Sequence, residues 1–175
     1  MTWKARRGGG PAPYVSVNVA AAQLRDPTFL TTVRDTLAHT GLARDRLRLE
    51  ITEHALVETH PHTLANLQGL KRLGVRIAVD DFGTGYSNLA ALLTLPVHEL
   101  KLAHMLVKDG SPDLLNTIMQ LGRTLKLTMT AEGIETRHQA DLMRELGCDT
   151  GQGWHFSRPM TTEKIRRYLV WPTNG

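Results

Sequence analysis

Short β-branched or Leu-rich runs recur along this 175-residue chain, separated by loops and amphipathic helical patterns. They fall at residues 14–19, 47–52, 76–80, 99–102, 127–131 and, more weakly, 149–154. Strands regularly separated by helices imply a parallel sheet with right-handed crossovers, because parallel neighbours cannot be joined by tight turns. An open doubly wound sheet and a (β/α) barrel both satisfy the alternation. The strand ends favour the barrel: Asn18, Glu50 to Glu53, Asp80-Asp81, Lys101, Glu132 and Gln152 place a polar or acidic group at almost every one. Barrel enzymes draw functional groups from the C-terminal ends of many strands, whereas open sheets use mainly one crevice. Eight strands are usual for a barrel and six are legible, so an incomplete barrel is expected.

The helices carry their own punctuation. Asp26-Pro27 opens one that places Phe29, Leu30, Val33 and Leu37 on one face and ends at Gly41. Leu64, Leu67, Leu70 and Leu73 mark a second before Gly74, and Ser111-Pro112-Asp113 opens a third carrying Leu114, Ile118, Leu121 and Leu125. A further helix ends at Leu146-Gly147, and another is predicted over residues 87–93. Residues 1–13, with Gly8-Gly9-Gly10-Pro11 and Pro13, read as a lead-in, leaving residues 14–175 as the domain.

Composition narrows the function classes. With 41% hydrophobic and 22% charged residues the chain is of globular type, and aromatics at 5% leave the core to Leu, Val, Ile and Ala. A net charge of +4 suits an anionic ligand, but the only tight basic cluster is Lys4, Arg6 and Arg7. No basic-aromatic platform points to a nucleic-acid polymer. One cysteine, Cys148, excludes an internal disulfide and fits a reducing cytoplasm. The longest apolar run, residues 89–97, is too short to span a bilayer.

The chemistry centres on Asp80-Asp81. Two adjacent carboxylates at a buried strand end repel each other unless cations neutralise them, and the glycine-rich turn that follows allows close backbone approach. Two metal ions would supply the counter-charge and suit phosphodiester hydrolysis; an exposed turn with a capping aspartate is the alternative. Strand alternation turns Glu50 and Thr52 to one side, with Glu53 beyond the strand end. An inward acid is costly unless paired or bound to metal. Asn18 is a polar residue in an apolar strand. Lys101, flanked by Leu100 and Leu102, either orients an attacking water beside metal-bound carboxylates or snorkels outward from the core edge. Glu132 is a candidate general base, and Gln152 lies in a glycine-rich segment able to meet a ligand.

Together these segments resemble the EAL family of cyclic di-GMP phosphodiesterases. The resemblance rests on Ser16-Val17-Asn18-Val19, Leu49-Glu50-Ile51-Thr52-Glu53, Asp80-Asp81-Phe82-Gly83-Thr84-Gly85-Tyr86-Ser87, Leu100-Lys101-Leu102, Ala131-Glu132-Gly133-Ile134-Glu135-Thr136 and the segment from Gly147 to Pro159. It implies a modified TIM (β/α) barrel with two Mg²⁺ or Mn²⁺ ions that hydrolyses cyclic di-GMP to the linear dinucleotide pGpG. By position it implies Asn18, Glu50, Asp80 and Asp81 as metal ligands, and Lys101, Glu132 and Gln152 as the groups that hold water and metal. Glu53 would brace the loop at residues 81–87, through which the family also forms homodimers, and Glu135 is a second candidate for that support.

The chain departs from the family pattern in two places. No Glu-Ala-Leu segment precedes Asn18, and Glu50 is the first glutamate in the sequence. Residues 3–13 resemble the end of the family's first helix, so the first strand and most of that helix are expected to be missing. Ala103 stands where the family usually has an aspartate two residues after the lysine. Weak or absent hydrolysis follows as an expectation, and a degenerate EAL module that binds cyclic di-GMP or a protein partner without catalysis is the competing reading.

Overall fold

A computed structural model describes the backbone of residues 13–57, 60–85 and 89–165 and the side chains of these except 57 and 89–91. Residues 1–12 of the lead-in, with its basic cluster, and Tyr86-Ser87 lie outside the described residues.

Six parallel strands, β1 (Val15–Asn18), β2 (Leu47–Thr52), β3 (Arg76–Phe82), β4 (Glu99–Leu102), β5 (Thr128–Ala131) and β6 (Thr150–Gly151), form one sheet in chain order. Among the described residues β1 and β6 do not pair, so the sheet is an open arc, a half-barrel. The helices are α1 (Ala21–Arg25), α2 (Phe29–Thr40), α3 (Glu53–Val57), α4 (Pro61–Leu73), α5 (Leu89–Thr94), α6 (His104–Asp109), α7 (Pro112–Thr124) and α8 (Arg137–Glu145).

Alternation along the strands divides the molecule into an apolar and a polar side. Leu49, Ile51, Ile77, Val79, Leu100, Leu102, Met129 and Ala131 form one buried cluster with Leu67 and Leu70 of α4, Leu115 and Met119 of α7, and Ala140 and Met143 of α8. Methionine thus joins the aliphatic residues expected in the core. The intervening positions carry Arg48, Glu50, Glu99, Lys101 and Thr130, where barrel interiors ordinarily hold branched apolar side chains. Among the described residues β1 and β6 are the edge strands, and all four residues of β1 are exposed.

Several helix ends follow their sequence signals, but α2 starts at Phe29 with Thr28 at its N-cap rather than at Asp26-Pro27, since Asp26 closes α1. Gly41 closes α2 in the left-handed conformation, and Ser111 caps α7 by accepting from the Leu114 amide. On α4 the leucine stripe drifts around the helix, so Leu67 and Leu70 are buried while Leu64 is exposed. Of the helix expected at residues 87–93, α5 covers 89–93 and runs on to Thr94, while residues 87 and 88 lie outside the described residues.

His98 pins the entry to β4. Its Nδ1 accepts the Ile77 amide at 3.1 Å, while its own amide donates to the Ile77 carbonyl at 2.9 Å. Burial, then Arg76 and Lys71 nearby, hold its pKa below the ordinary 6.5. The unfolded chain therefore binds this proton more readily, and stability falls as pH drops below the ordinary value toward the folded one. His98→Leu is expected to cost about 1 kcal/mol near neutrality, the worth of one hydrogen bond. It should also flatten the loss of urea midpoint between about pH 7 and about pH 5; a slope identical to the parent's would refute the assignment.

Candidate active site

The C-terminal ends of β2, β3, β4 and the segment after β5 deliver one cluster. Lys101 is buried on β4, and its Nζ lies 2.8 Å from Glu50 Oε2, 2.8 Å from Asp80 Oδ1 and 2.5 Å from Glu132 Oε1. Gln152, just past β6, donates from Nε2 to the same Glu132 oxygen at 2.6 Å. Lys101 does not snorkel outward; it is the hub of three carboxylates. Burial works to lower its pKa, but the hydrogen bonds to Asp80, Glu132 and Glu50 outweigh this and hold it above the ordinary lysine value. Glu132 is pushed up by burial, with Asp80 and Glu50 adding to the effect and Lys101 opposing it.

A bulge in β3 aims the aspartate pair. Val79 pairs with Leu100 and Phe82 with Leu102, so Asp80 and Asp81 together oppose the single residue Lys101. Asp81 takes a positive φ of 54°, a conformation that aspartate tolerates better than most side chains. Its carbonyl accepts both the Thr84 amide and the Thr84 hydroxyl, which closes the turn. Its carboxylate is exposed and makes no hydrogen bond or ion pair with the described residues. The strand thus continues to Phe82, two residues past the end read from the sequence.

Glu53, at the start of α3, is buried and accepts the Gly83 amide at Oε2 (3.0 Å), while its Oε1 has no partner among the described residues. Asn18 lies opposite Glu50 in the β1–β2 register, exposed. Glu135 is also exposed, and the structure does not bring it to the cluster; its amide is taken up by Gln139 at the start of α8. Ala103 is buried at the N-cap of α6 and offers no side-chain cap.

The loops after β5 and β6 are clamped together. The Gln152 amide donates to the Ala131 carbonyl, the Ile134 amide to Gln152, and the His155 amide to Ile134. Gly153 sits at φ 152°, and a Cβ there would fall about 2 Å from the Ile134 backbone, so only glycine permits this approach. The clamp holds Gln152 beside Glu132.

One polar pair escaped sequence reasoning. Arg48 and Glu99 form a buried ion pair below the cluster, with Nη1 2.8 Å from Oε1 and 2.6 Å from Oε2. The signal was available in Arg48-Leu49-Glu50 and Glu99-Leu100-Lys101, where alternation puts both charges of each strand on the same side.

The donor set suits a hard divalent cation. Glu50, Asp80 and Glu132 carry three negative charges against one on Lys101, so the buried cluster keeps an excess of two, before counting Asp81. Carboxylate oxygens are the donors Mg²⁺ and Mn²⁺ prefer. Among the described residues no group of three acidic, His or Cys side chains is spaced as a ready metal site, since the Lys101 ammonium occupies the centre of the cluster.

The result is a half-barrel of parallel strands with three acids gathered around a lysine at the strand ends. Residues 1–159 match the EAL domain family, and the chain belongs to it. It is 39% identical over 165 residues to the uncharacterized protein Rv1357c of Mycobacterium tuberculosis, a match covering 89% of this chain and 54% of that protein. The chain thus spans about half the length of such curated relatives, and 20% of others. The EAL domain of Mycobacterium smegmatis DcpA superposes with a TM-score of 0.85 at 33% identity, over 90% of this chain and 72% of that one. The PaMucR phosphodiesterase in its c-di-GMP complex superposes with a TM-score of 0.81 at 36% identity, over 87% and 64%. The expected barrel type is thereby established, as a six-stranded half-barrel. No described helix is long and apolar enough to cross a membrane.

Proposed function

We propose that residues 14–175 act as a cyclic di-GMP phosphodiesterase domain of low turnover, with pGpG as product. The observation that carries this reading is the convergence of Glu50, Asp80 and Glu132 on Lys101 with two negative charges in excess. The similarity to a phosphodiesterase solved with c-di-GMP supports it. Asn18, Glu50, Asp80 and Asp81 would hold Mg²⁺ or Mn²⁺, whose charge offsets that of the phosphodiester and lowers the pKa of bound water. Lys101 orients the attacking water through an ammonium that burial and three carboxylates fix in place. Glu132, with its pKa raised above the ordinary carboxylate value, is suited to accept a proton from that water, and Gln152 fixes the carboxylate that does so. Glu53 holds the turn after Asp81 by its bond to Gly83.

Turnover is low in this reading because Ala103 stands where the family usually carries a carboxylate two residues after the lysine. Incubation with cyclic di-GMP and Mn²⁺, followed by chromatography, is expected to show slow, metal-dependent pGpG formation; rapid conversion would overturn the claim of weakness. The same departure at Ala103 favours the second reading, a module that binds cyclic di-GMP or a protein partner without hydrolysis. Tight binding in calorimetry with EDTA, with no pGpG in any metal, would select it. Homodimerisation through the loop at residues 81–87 and a cytoplasmic setting complete the proposal.

A further inference from the structure

The ion pair of Arg48 and Glu99 repeats, one step lower on the sheet, the contact between Glu50 and Lys101. On β2 the residues are Arg48 then Glu50; on β4 they are Glu99 then Lys101. Register makes the two contacts parallel diagonals. Glu50 lies level with Ala78 and Glu99, so Arg48 reaches one step up to Glu99 just as Glu50 reaches one step up to Lys101. Both diagonals pass over β3, the lower one rising from the level of Arg76, whose charge also acts on Glu99, to that of the small, buried Ala78. The charges alternate, positive to negative below and negative to positive above, so neighbours along each strand attract as well.

The lower contact also runs on across the sheet. The Thr130 hydroxyl on β5 donates to Glu99 Oε1, and its oxygen meets the Thr150 hydroxyl on β6. The Tyr14 ring, just before β1, lies 3.7 Å from the Arg48 guanidinium. Glu99 is 1% exposed and Arg48 8%, so both charges have left water. Stability gives little reason for such a pair, because replacing a buried ion pair by apolar residues is often neutral or stabilising. Geometry gives a better one. Two contacts that span from β2 to β4 across β3 can limit how sharply the sheet curves there, and hence how far Glu50 stands from Lys101.

We infer that Arg48 and Glu99 form a positioning strut that sets the separation of Glu50 and Lys101. This rests on the reading of those two residues as phosphodiesterase site residues. The test is a cycle in the full chain combining Arg48→Met/Glu99→Leu, which replaces the strut by apolar residues, with Glu50→Gln. In EDTA, Glu50→Gln shifts the urea midpoint of the parent; on the strut-free background that shift, whichever its sign, is expected to shrink to less than about half, as for coupled neighbours. With Mn²⁺ and cyclic di-GMP, the strut-free protein is expected to lose at least about tenfold in kcat at an unchanged urea midpoint and with KM little altered, the signature of misplacement. Equal midpoint shifts in the two backgrounds, or an unchanged kcat in an active parent, overturn the strut. A parent that never hydrolyses overturns the phosphodiesterase reading instead, and the EDTA arm still decides the strut. If the strut-free protein does not fold, Glu99→Gln, which keeps the side chain's shape, takes its place in the same cycle.

Discussion

Lys101→Met is expected to lower the unfolding free energy by about 3–5 kcal/mol near neutral pH, because it leaves Glu50, Asp80 and Glu132 buried together with no cation. Methionine fills much the same volume, so the loss is electrostatic rather than a cavity effect. Two further measurements identify the cause. In the parent, the Lys101 pKa lies above its ordinary value of 10.5, so its stabilisation is fully present below that pH and is lost as pH rises through the folded value. The variant should lack that alkaline limb. On the acid side the sign reverses: Glu132 is already held above 4.5 by burial and by Asp80 and Glu50, and removing the lysine raises it further. A carboxyl with a raised folded pKa gains protons on folding, so the variant should recover stability as pH falls toward the ordinary carboxylate value. Mn²⁺ should also restore the urea midpoint, since a cation that binds only the folded state stabilises it by mass action, about 2.7 kcal/mol at a hundredfold excess over its dissociation constant. A loss below about 1 kcal/mol, within the range of an exposed pair, or no recovery with either acid or Mn²⁺, would show that Lys101 does not neutralise this cluster.

The parts of this site that could be read from sequence are those that depend on strand alternation. The bounds of β2 and β4 match the apolar runs because both strands are flanked by clear breaks, a 3₁₀ turn at Arg44–Arg46 before β2 and Pro96 before β4. Alternation turns Glu50 and Thr52 to one side of β2, and the register brings Lys101 of β4 to Glu50. The bulge at Asp80-Asp81 was not legible, since an extra residue in one strand depends on the register of its partner and leaves the apolar pattern of Ile77, Val79 and Phe82 nearly intact. Helices α1, α3 and α6 are five or six residues long, too short for a 3.6-residue period to register. Glu135 sits three residues past Glu132, where the chain turns into the N-cap of α8 and leaves the residue exposed. The pairing of Arg48 with Glu99 depends on the register of three strands, which the sequence does not give. Only the fold shows that they meet across β3.

Ala103→Asp is expected to raise cyclic di-GMP hydrolysis at least about tenfold, worth about 1.4 kcal/mol in the barrier. The position is buried, two residues past Lys101 and at the N-cap of α6, where the side chain now makes no cap bond. An aspartate there has two possible partners. The free amides of the first turn of α6 would gain a cap worth about 1 kcal/mol. The carboxylate cluster would instead gain a fourth acid, which raises repulsion without metal and strengthens the site with it. In EDTA these effects oppose each other, so stability should change by less than about 1 kcal/mol, the scale of one cap. In Mn²⁺ only the second partner matters. Tighter Mn²⁺ binding in calorimetry, together with faster pGpG formation, would assign the residue to the cluster and mark Ala103 as a cause of low turnover. A higher melting temperature with neither change would assign it to the helix. The phosphodiesterase reading would then have to explain weak activity without Ala103, and the binding-module reading would gain accordingly.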